Sequence, residues 1–364
     1  MNNQGFWKKL KKPIFCLAPM ADVTDMAFRY ILAKYSKDRE NKDSVVFWTE
    51  FVSADGLCNK LARKKLSHIL DFSERERPIV AQVFGANPEN MKKACQYIAS
   101  LGFDGIDINM GCPDKSVINQ GAGSALIKTP ELARKILISA RDGVKSAGKD
   151  IPVSVKTRIG FNPPSPKGFG RAGKEDYLLD EEWIKNLLKE KLPALTIHLR
   201  TKKEMSLVEA HWELMPKIIA LRNKISPETL IIGNGDVIDL KDAKEKALKY
   251  DCDGIMIGRG VFGNPWFFSS AGERSFLEEE QGDGKGETLR KQMLEEKLQV
   301  LIEHTQIFDQ KLLKPKHKHF DVMKKHFKSY INGFSGAKEL RVKLMETKNA
   351  KEVENIINDF LKKI

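Results

Sequence analysis

Cys112 stands between Gly111 and Pro113, directly after the strand-like run DGIDINM. A thiol with an ordinary pKa of about 8.5 is mostly protonated at neutral pH and can hand a proton to a carbanion-like centre. The competing reading is a buried, inert cysteine, the usual fate of this residue type. Lys156 closes another apolar run and admits three roles. As a Schiff-base amine it would make an aldolase. Beside a flavin it would stabilise negative charge on the reduced ring. As an ion-pair partner it would be chemically idle. Gln82 and His198, in neighbouring runs, would add contacts to a ring or a phosphate and so favour the flavin, although a strand histidine is more often a satisfied core residue. Two further runs end in Gly233-Asn234-Gly235-Asp236 and Gly258-Arg259-Gly260. Backbone N–H groups reach phosphate oxygens most closely where side chains are missing, and Arg259 adds a fixed fork of donors.

Such residues act together only if strand ends converge. Short β-branched runs recur at 13–18, 44–49, 78–84, 104–109, 151–156, 193–198, 229–233 and 253–257, each followed by room for a helix. Several are apolar throughout, as strands buried on both faces of a parallel sheet must be. The pattern predicts an α/β chain, a (β/α)8 TIM barrel followed by a small all-helical C-terminal domain. A helix over 88–101 has Pro88 in its first turn and Gly102 at its exit. Residues 1–275 read as the barrel, 276–289 as a linker, and 290–364 as helices over 290–308, 317–332, 337–346 and 350–363. In such barrels the loops after the strands carry the chemistry, and those after the last two bind phosphate. Residues 161–180, rich in Gly, Pro and charge, should form a long loop at that same end.

The formal charge of +13 needs a partner or a reason. Residues 301–364 hold 14 Lys or Arg against 8 Asp or Glu, a net +6, leaving +7 for the first 300. Seven lysines fall between Lys311 and Lys328 with Asp321 the single acid, and His317, His319 and His326 lie among them. A solvated helix face and an RNA-backbone footprint both fit that charge. Five scattered cysteines without a CxxC pair argue against a disulfide framework and a zinc site, and suit a reducing cytoplasm. The apolar run IFCLAPMA stops at Asp22, too short for a signal peptide, and no membrane span is expected.

Taken in order, LAPMADVTDMAFR, Gln82 with VFG, DGIDINMGCPDKSVINQGAGSAL over 104–126, VKTRIG, TIHLRT, GNGDV and DGIMIGRGVFGNPW resemble the tRNA-dihydrouridine synthases. SGAKELRVKL is similar to part of that family's helical domain, so the resemblance spans about residues 13–347. It implies FMN held by Pro19, Met20, Ala21, Gln82, Lys156, His198, Asn234, Gly235, Asp236, Gly258 and Arg259. It implies Cys112 as proton donor, with Asn109, Arg158 and Arg200 on the uracil ring. The implied reaction reduces the C5–C6 double bond of a uridine in tRNA, with NADPH recharging the flavin in a cytoplasmic, monomeric enzyme without metal. Leu199 stands where the family usually has Gly after the histidine, and the 161–180 loop is longer than usual. That loop is expected to touch tRNA through Lys167, Arg171 or Lys174. The rivals are another FMN barrel oxidoreductase acting on a small cyclic substrate, and a non-catalytic RNA-binding protein on a barrel scaffold.

Overall fold

A computed structural model describes residues 4–36, 44–162, 178–269 and 285–363, with side chains from Arg290 onward in the last span. Lys167, Arg171, Lys174 and most of the 276–289 linker lie outside the described residues.

The eight expected strands are all present, and one of them is broken in two. They are β1 (Ile14–Leu17), β2 (Val45–Trp48), β3 (Val52–Ser53), β4 (Ile79–Phe84), β5 (Gly105–Met110), β6 (Val153–Gly160), β7 (Ala194–Thr201), β8 (Leu230–Asn234) and β9 (Gly254–Ile257). All pair in parallel in the order β2-β1-β9-β8-β7-β6-β5-β4-β3, and β2 also pairs with β4, which closes the barrel. β2 lies beside Ile79 and Val80, and β3 beside Val83 and Phe84. The short β3 therefore resumes the second barrel strand after a break at Thr49–Phe51. Thr49 fills that gap by accepting the Gln82 N–H on its hydroxyl at 3.1 Å.

Helices cover the outside: α1 (Met26–Ser36), α2 (Ala54–Cys58), α3 (Lys60–Leu66), α4 (Pro88–Ser100), α5 (Lys115–Ile118), α6 (Pro130–Ser146), α7 (Glu181–Lys189), α8 (Met215–Ile225) and α9 (Leu240–Lys249). α4 starts as the sequence predicts, with Asn87 accepting from the N–H groups of Glu89 and Asn90 ahead of Pro88. The barrel interior is filled from below by Trp7, Cys16, Val46, Trp48, Val80, Ile232 and Met256. Because strand side chains alternate, the next inward layer is Gln82, Asp107, Asn109, Lys156, His198 and Asn234, which is polar throughout. That switch from apolar floor to polar mouth sets where chemistry can occur.

The C-terminal helices are α10 (Lys285–Phe308), α11 (Met323–Tyr330), α12 (Ala337–Met345) and α13 (Ala350–Leu361). Their core around Phe308, Phe327, Tyr330, Leu344 and Ile357 takes in Ala27 and Ile31 of α1, which joins the tail to the barrel by apolar burial. Two histidines are buried in this seam, His304 against His326 with ring centroids 4.7 Å apart and Phe28 beside both. Burial, with Lys325 and Lys318 nearby, holds His326 down at about 3 from an ordinary 6.5. The unfolded chain therefore binds a proton below pH 6.5 that the folded one refuses, and stability falls as pH drops from there toward 3. His326→Leu should flatten that acid limb by a few kcal/mol between pH 6 and 4, read as the difference in denaturation midpoint from the parent. Parallel limbs in the two proteins would refute it.

Candidate active site

The Cys112 loop is tied down at nearly every polar atom. Asn109 Oδ1 accepts from the N–H groups of Gly111 and Cys112 at 3.1 and 2.9 Å, and Arg158 Nε donates to the Gly111 carbonyl at 2.9 Å. Thr157 Oγ1 donates to the Met110 carbonyl, and the Cys112 carbonyl accepts from Ser124 N–H at 3.1 Å. Gly111 fits closely here, since a Cβ would sit 3.0 to 3.3 Å from the backbone of Thr157, tighter than Cβ contacts usually are. Asn109 is in turn held by Gln82, whose Oε1 accepts from Asn109 Nδ2 at 2.9 Å. Gln82 Nε2 donates to Asp107, which also accepts from Ser154 Oγ at 2.7 Å. A chain of hydrogen bonds thus runs from Asp107 through Gln82 and Asn109 to the thiol loop. Asp107 went unremarked in the sequence, although its place two residues before Asn109 in a strand puts it on the same inward face. Burial raises its carboxyl to about 6.

The half-buried Cys112 thiol is pushed up from its ordinary value mainly by burial, so it stays protonated at neutral pH. It lies within electrostatic reach of Lys156 and Arg158. Among the other cysteines, Cys16, Cys95 and Cys252 are buried and burial pushes each thiol well up, so none offers a thiolate.

A cavity of about 500 Å³ opens above the apolar floor. Pro19, Met20, Lys156, His198, Asn234, Gly235, Asp236, Gly258 and Arg259 line it, nine of the eleven residues expected at a cofactor. Ala21 and Gln82 are not among them; Gln82 is fully buried in the network below. Arg200, read as a uracil contact, lines the cavity too, with Ser206, Val237, Ile238 and Met256, which the sequence reading did not single out. Lys156 Nζ donates to Asn234 Oδ1 at 3.1 Å, and burial lowers its ammonium to about 8. His198 is pushed well below its ordinary value by burial and by the surrounding cations, so its ring is neutral. Arg200 Nη1 stands 3.1 Å from His198 Nε2. A guanidinium only donates, so Nε2 accepts and the proton rests on Nδ1. Leu199, where a glycine was expected, points away from the cavity into the barrel–helix core, and alternation leaves His198 and Arg200 facing in.

The glycine loops after β8 and β9 are equally constrained. Gly235 has φ +133, and a Cβ there would lie 2.6 Å from Ala210 Cβ; one on Gly260 would lie 2.5 Å from the Val237 carbonyl. The loops after β7, β8 and β9 therefore pack on one another without room for side chains between them. Arg200 pairs with Asp236, and Arg259 Nη2 approaches the other Asp236 oxygen at 3.2 Å. Arg259 keeps two-thirds of its side chain exposed at the rim. The residues fit a phosphate-bearing aromatic cofactor. A Cβ on Gly258 would meet only Met20 Sδ at 3.6 Å and Ala18 Cβ at 3.9 Å, and Lys156 offers a buried cation hydrogen-bonded to the neutral Asn234 amide.

Comparison with known proteins agrees with the arrangement. The family model described as Dihydrouridine synthase (Dus) matches residues 16–364. The chain belongs to the dihydrouridine synthase family. It is 38% identical to the probable tRNA-dihydrouridine synthase 2 of Bacillus subtilis (strain 168), over 99% of this chain and 98% of that one. It is 37% identical to the probable tRNA-dihydrouridine synthase of Staphylococcus aureus (strain MRSA252), over 98% and 96%. As a dihydrouridine synthase it is an enzyme of oxidoreductase type, which removes the reading of a non-catalytic scaffold. In this synthase the Cys112 loop follows β5 and the Lys156 cavity opens at the carboxyl ends of the strands, so both stand at the same end of one barrel. The Cys112 side chain is not among those lining the cavity. Among the described residues, no helix is long and apolar enough to cross a membrane.

Proposed function

We propose that the chain reduces the C5–C6 double bond of uridines in tRNA, with FMN in the Lys156 cavity and NADPH as the reductant. The observation that carries the reading is the pairing, within electrostatic reach, of a buried ammonium in that cavity with a thiol kept protonated. When bound and reduced, FMN supplies the hydride that adds to C6 of the uracil ring. Cys112 gives its proton to C5, and the resulting thiolate is offset by Lys156 and Arg158. Lys156 would hold the cofactor from the cavity wall and offset negative charge on its reduced ring, and the Nδ1–H of His198 would be free to donate to it. Asn234 orients Lys156 with one side-chain oxygen and binds the Met256 carbonyl with its amide.

Asn109 and Arg158 support the reaction by fixing the Cys112 loop: Asn109 accepts from the N–H groups of Gly111 and Cys112, and Arg158 donates to the Gly111 carbonyl and to the loop after β7. The tail and the barrel rim would grip tRNA phosphates, offsetting the few kcal/mol needed to unstack the target base. Lys311, Lys316 and Lys328 are exposed for that task, whereas Lys318 is not. The test is direct. Purified protein should carry the absorption of oxidised flavin and, given NADPH, should form dihydrouridine in unmodified tRNA transcripts. A colourless protein, or a yellow one that leaves tRNA unreduced, would sink the proposal.

A further inference from the structure

Large apolar side chains stand exposed at the lip of the cavity: Met205, Val208 and Ile238, and Leu207 at 84%. Three of them belong to the loop that follows β7, and that loop is held tightly. Arg158 Nη1 donates to the carbonyls of Thr201 and Met205 at 3.0 and 2.9 Å, and Arg200 Nε donates to that of Val208 at 2.7 Å. Glu204 accepts from both the N–H and the hydroxyl of Thr201. Both arginines are buried, and a buried guanidinium is costly to keep. Here two of them are spent on fixing a loop whose tip is apolar and open. Fixed, exposed apolar groups mark a contact surface. Ser206 of the same loop and Ile238 line the cavity, so the tip stands at its edge.

Beside the tip is a basic pair. Lys128 Nζ lies 3.8 Å from the centre of the Phe161 ring and Lys202 Nζ 5.2 Å from it. The ring collects both ammoniums. The N–H groups of Lys202 and Lys203 donate to the carbonyls of Gly160 and Phe161 at 2.9 and 3.0 Å, so ring and loop are one unit. Two like charges drawn to one ring repel each other and favour an anion that both can hold. Basic groups beside apolar tips match a nucleic-acid strand, which offers phosphates and base faces in alternation. The ring of strands fixes where this happens. β6 and β7 lie three to four strands around the barrel from β1, whose following helix α1 carries the C-terminal helices. The lip and the tail therefore stand on opposite sides of the mouth.

We propose that Lys128, Phe161 and the loop from Lys202 to Val208 form a second RNA-holding surface. Lys128 and Lys202 grip a backbone phosphate next to the reacting uridine. Leu207 packs against the base left without a stacking partner when that uridine swings into the cavity, as apolar side chains do at other unstacked steps. This rests on the proposed tRNA activity and adds where the strand is held.

The experiment uses the full-length flavin-loaded enzyme and unmodified tRNA transcripts. The double variant Lys128→Gln/Lys202→Gln should bind about ten-fold more weakly at moderate salt, with the slope of log affinity against log salt smaller by about one. Leu207→Ser should keep that slope and lose about ten-fold in turnover at saturating tRNA. Flavin absorption should match the parent in both, since none of the three positions lines the cavity. If either variant equals the parent in its own measurement, the lip is overturned. A parent that does not reduce tRNA at all overturns the proposed function, and the lip falls with it.

Discussion

Cys112→Ala is expected to lower dihydrouridine formation on saturating tRNA by about 10²- to 10⁴-fold, the usual reach of a positioned general acid. Flavin absorption and tRNA affinity should stay near the parent's. The loop is held through its backbone, by Asn109, Arg158, Thr157 and Ser124, and none of these contacts involves the thiol. The substitution therefore removes the acid and leaves its setting intact. The pH profile separates the acid from its neighbours. Burial raises the thiol above its ordinary value, so the proton stays available on the alkaline side of neutral. Lys156, lowered to about 8, loses its charge first. Parent turnover should fall on the alkaline side as Lys156 deprotonates, and the residual activity of Cys112→Ala should keep that same limb. Near-parent turnover in the variant would remove the acid assignment. An alkaline limb that vanished with the thiol would assign it to Cys112 instead of Lys156.

How far this site could be read from the sequence depends on which direction its contacts run. Contacts along a strand were legible. Alternation puts Lys156 and Arg158, or His198 and Arg200, on one face, and the glycines at 235 and 258 mark where backbone comes close. Contacts across strands were not. Asn109 and Gln82 are 27 residues apart, and Arg158 reaches Gly111 across 47, so nothing local says that these side chains are spent on each other and on the Cys112 loop. Asp107 was passed over for the same reason, because its partners Gln82 and Ser154 come from neighbouring strands. The barrel could be counted because the strands are short, β-branched and mostly apolar runs at helix-spaced intervals, while the two-residue β3 carried no periodic signal at all. Charge misled once. A run of seven lysines reads as a solvated or RNA-facing surface, and Lys318 is neither.

Lys318→Met is expected to destabilise the enzyme by about 3–5 kcal/mol at pH 7, the cost of leaving buried charge without its counter-charge. The Lys318 side chain is only 8% exposed and reaches from the tail into a nest of three carboxylates. Its Nζ lies 2.7 Å from Glu50, 3.3 Å from Asp22 and 3.8 Å from Asp25. The rings of His317 and His68 stack beside it at 4.6 Å. Glu50 Oε1 also accepts the Asp22 N–H at 2.6 Å, at the end of the turn whose Pro19 and Met20 line the cavity. One lysine thus links the tail to the cavity wall. Asp25 already sits at about 6, raised by burial, and Lys318 is the largest influence opposing that rise. Without the lysine the Asp25 carboxyl moves further up. A carboxyl raised on folding binds protons that the unfolded chain does not, so the variant gains stability as pH falls from 7 toward 5, and its deficit against the parent narrows. Lys318→Arg, which keeps the charge, should recover most of the loss. Denaturant midpoints at pH 7 and pH 5 decide the matter. A deficit below about 0.5 kcal/mol at pH 7 would place this contact among the exposed ion pairs that contribute little, and a deficit that widened at pH 5 would show that the carboxylates are not what Lys318 balances.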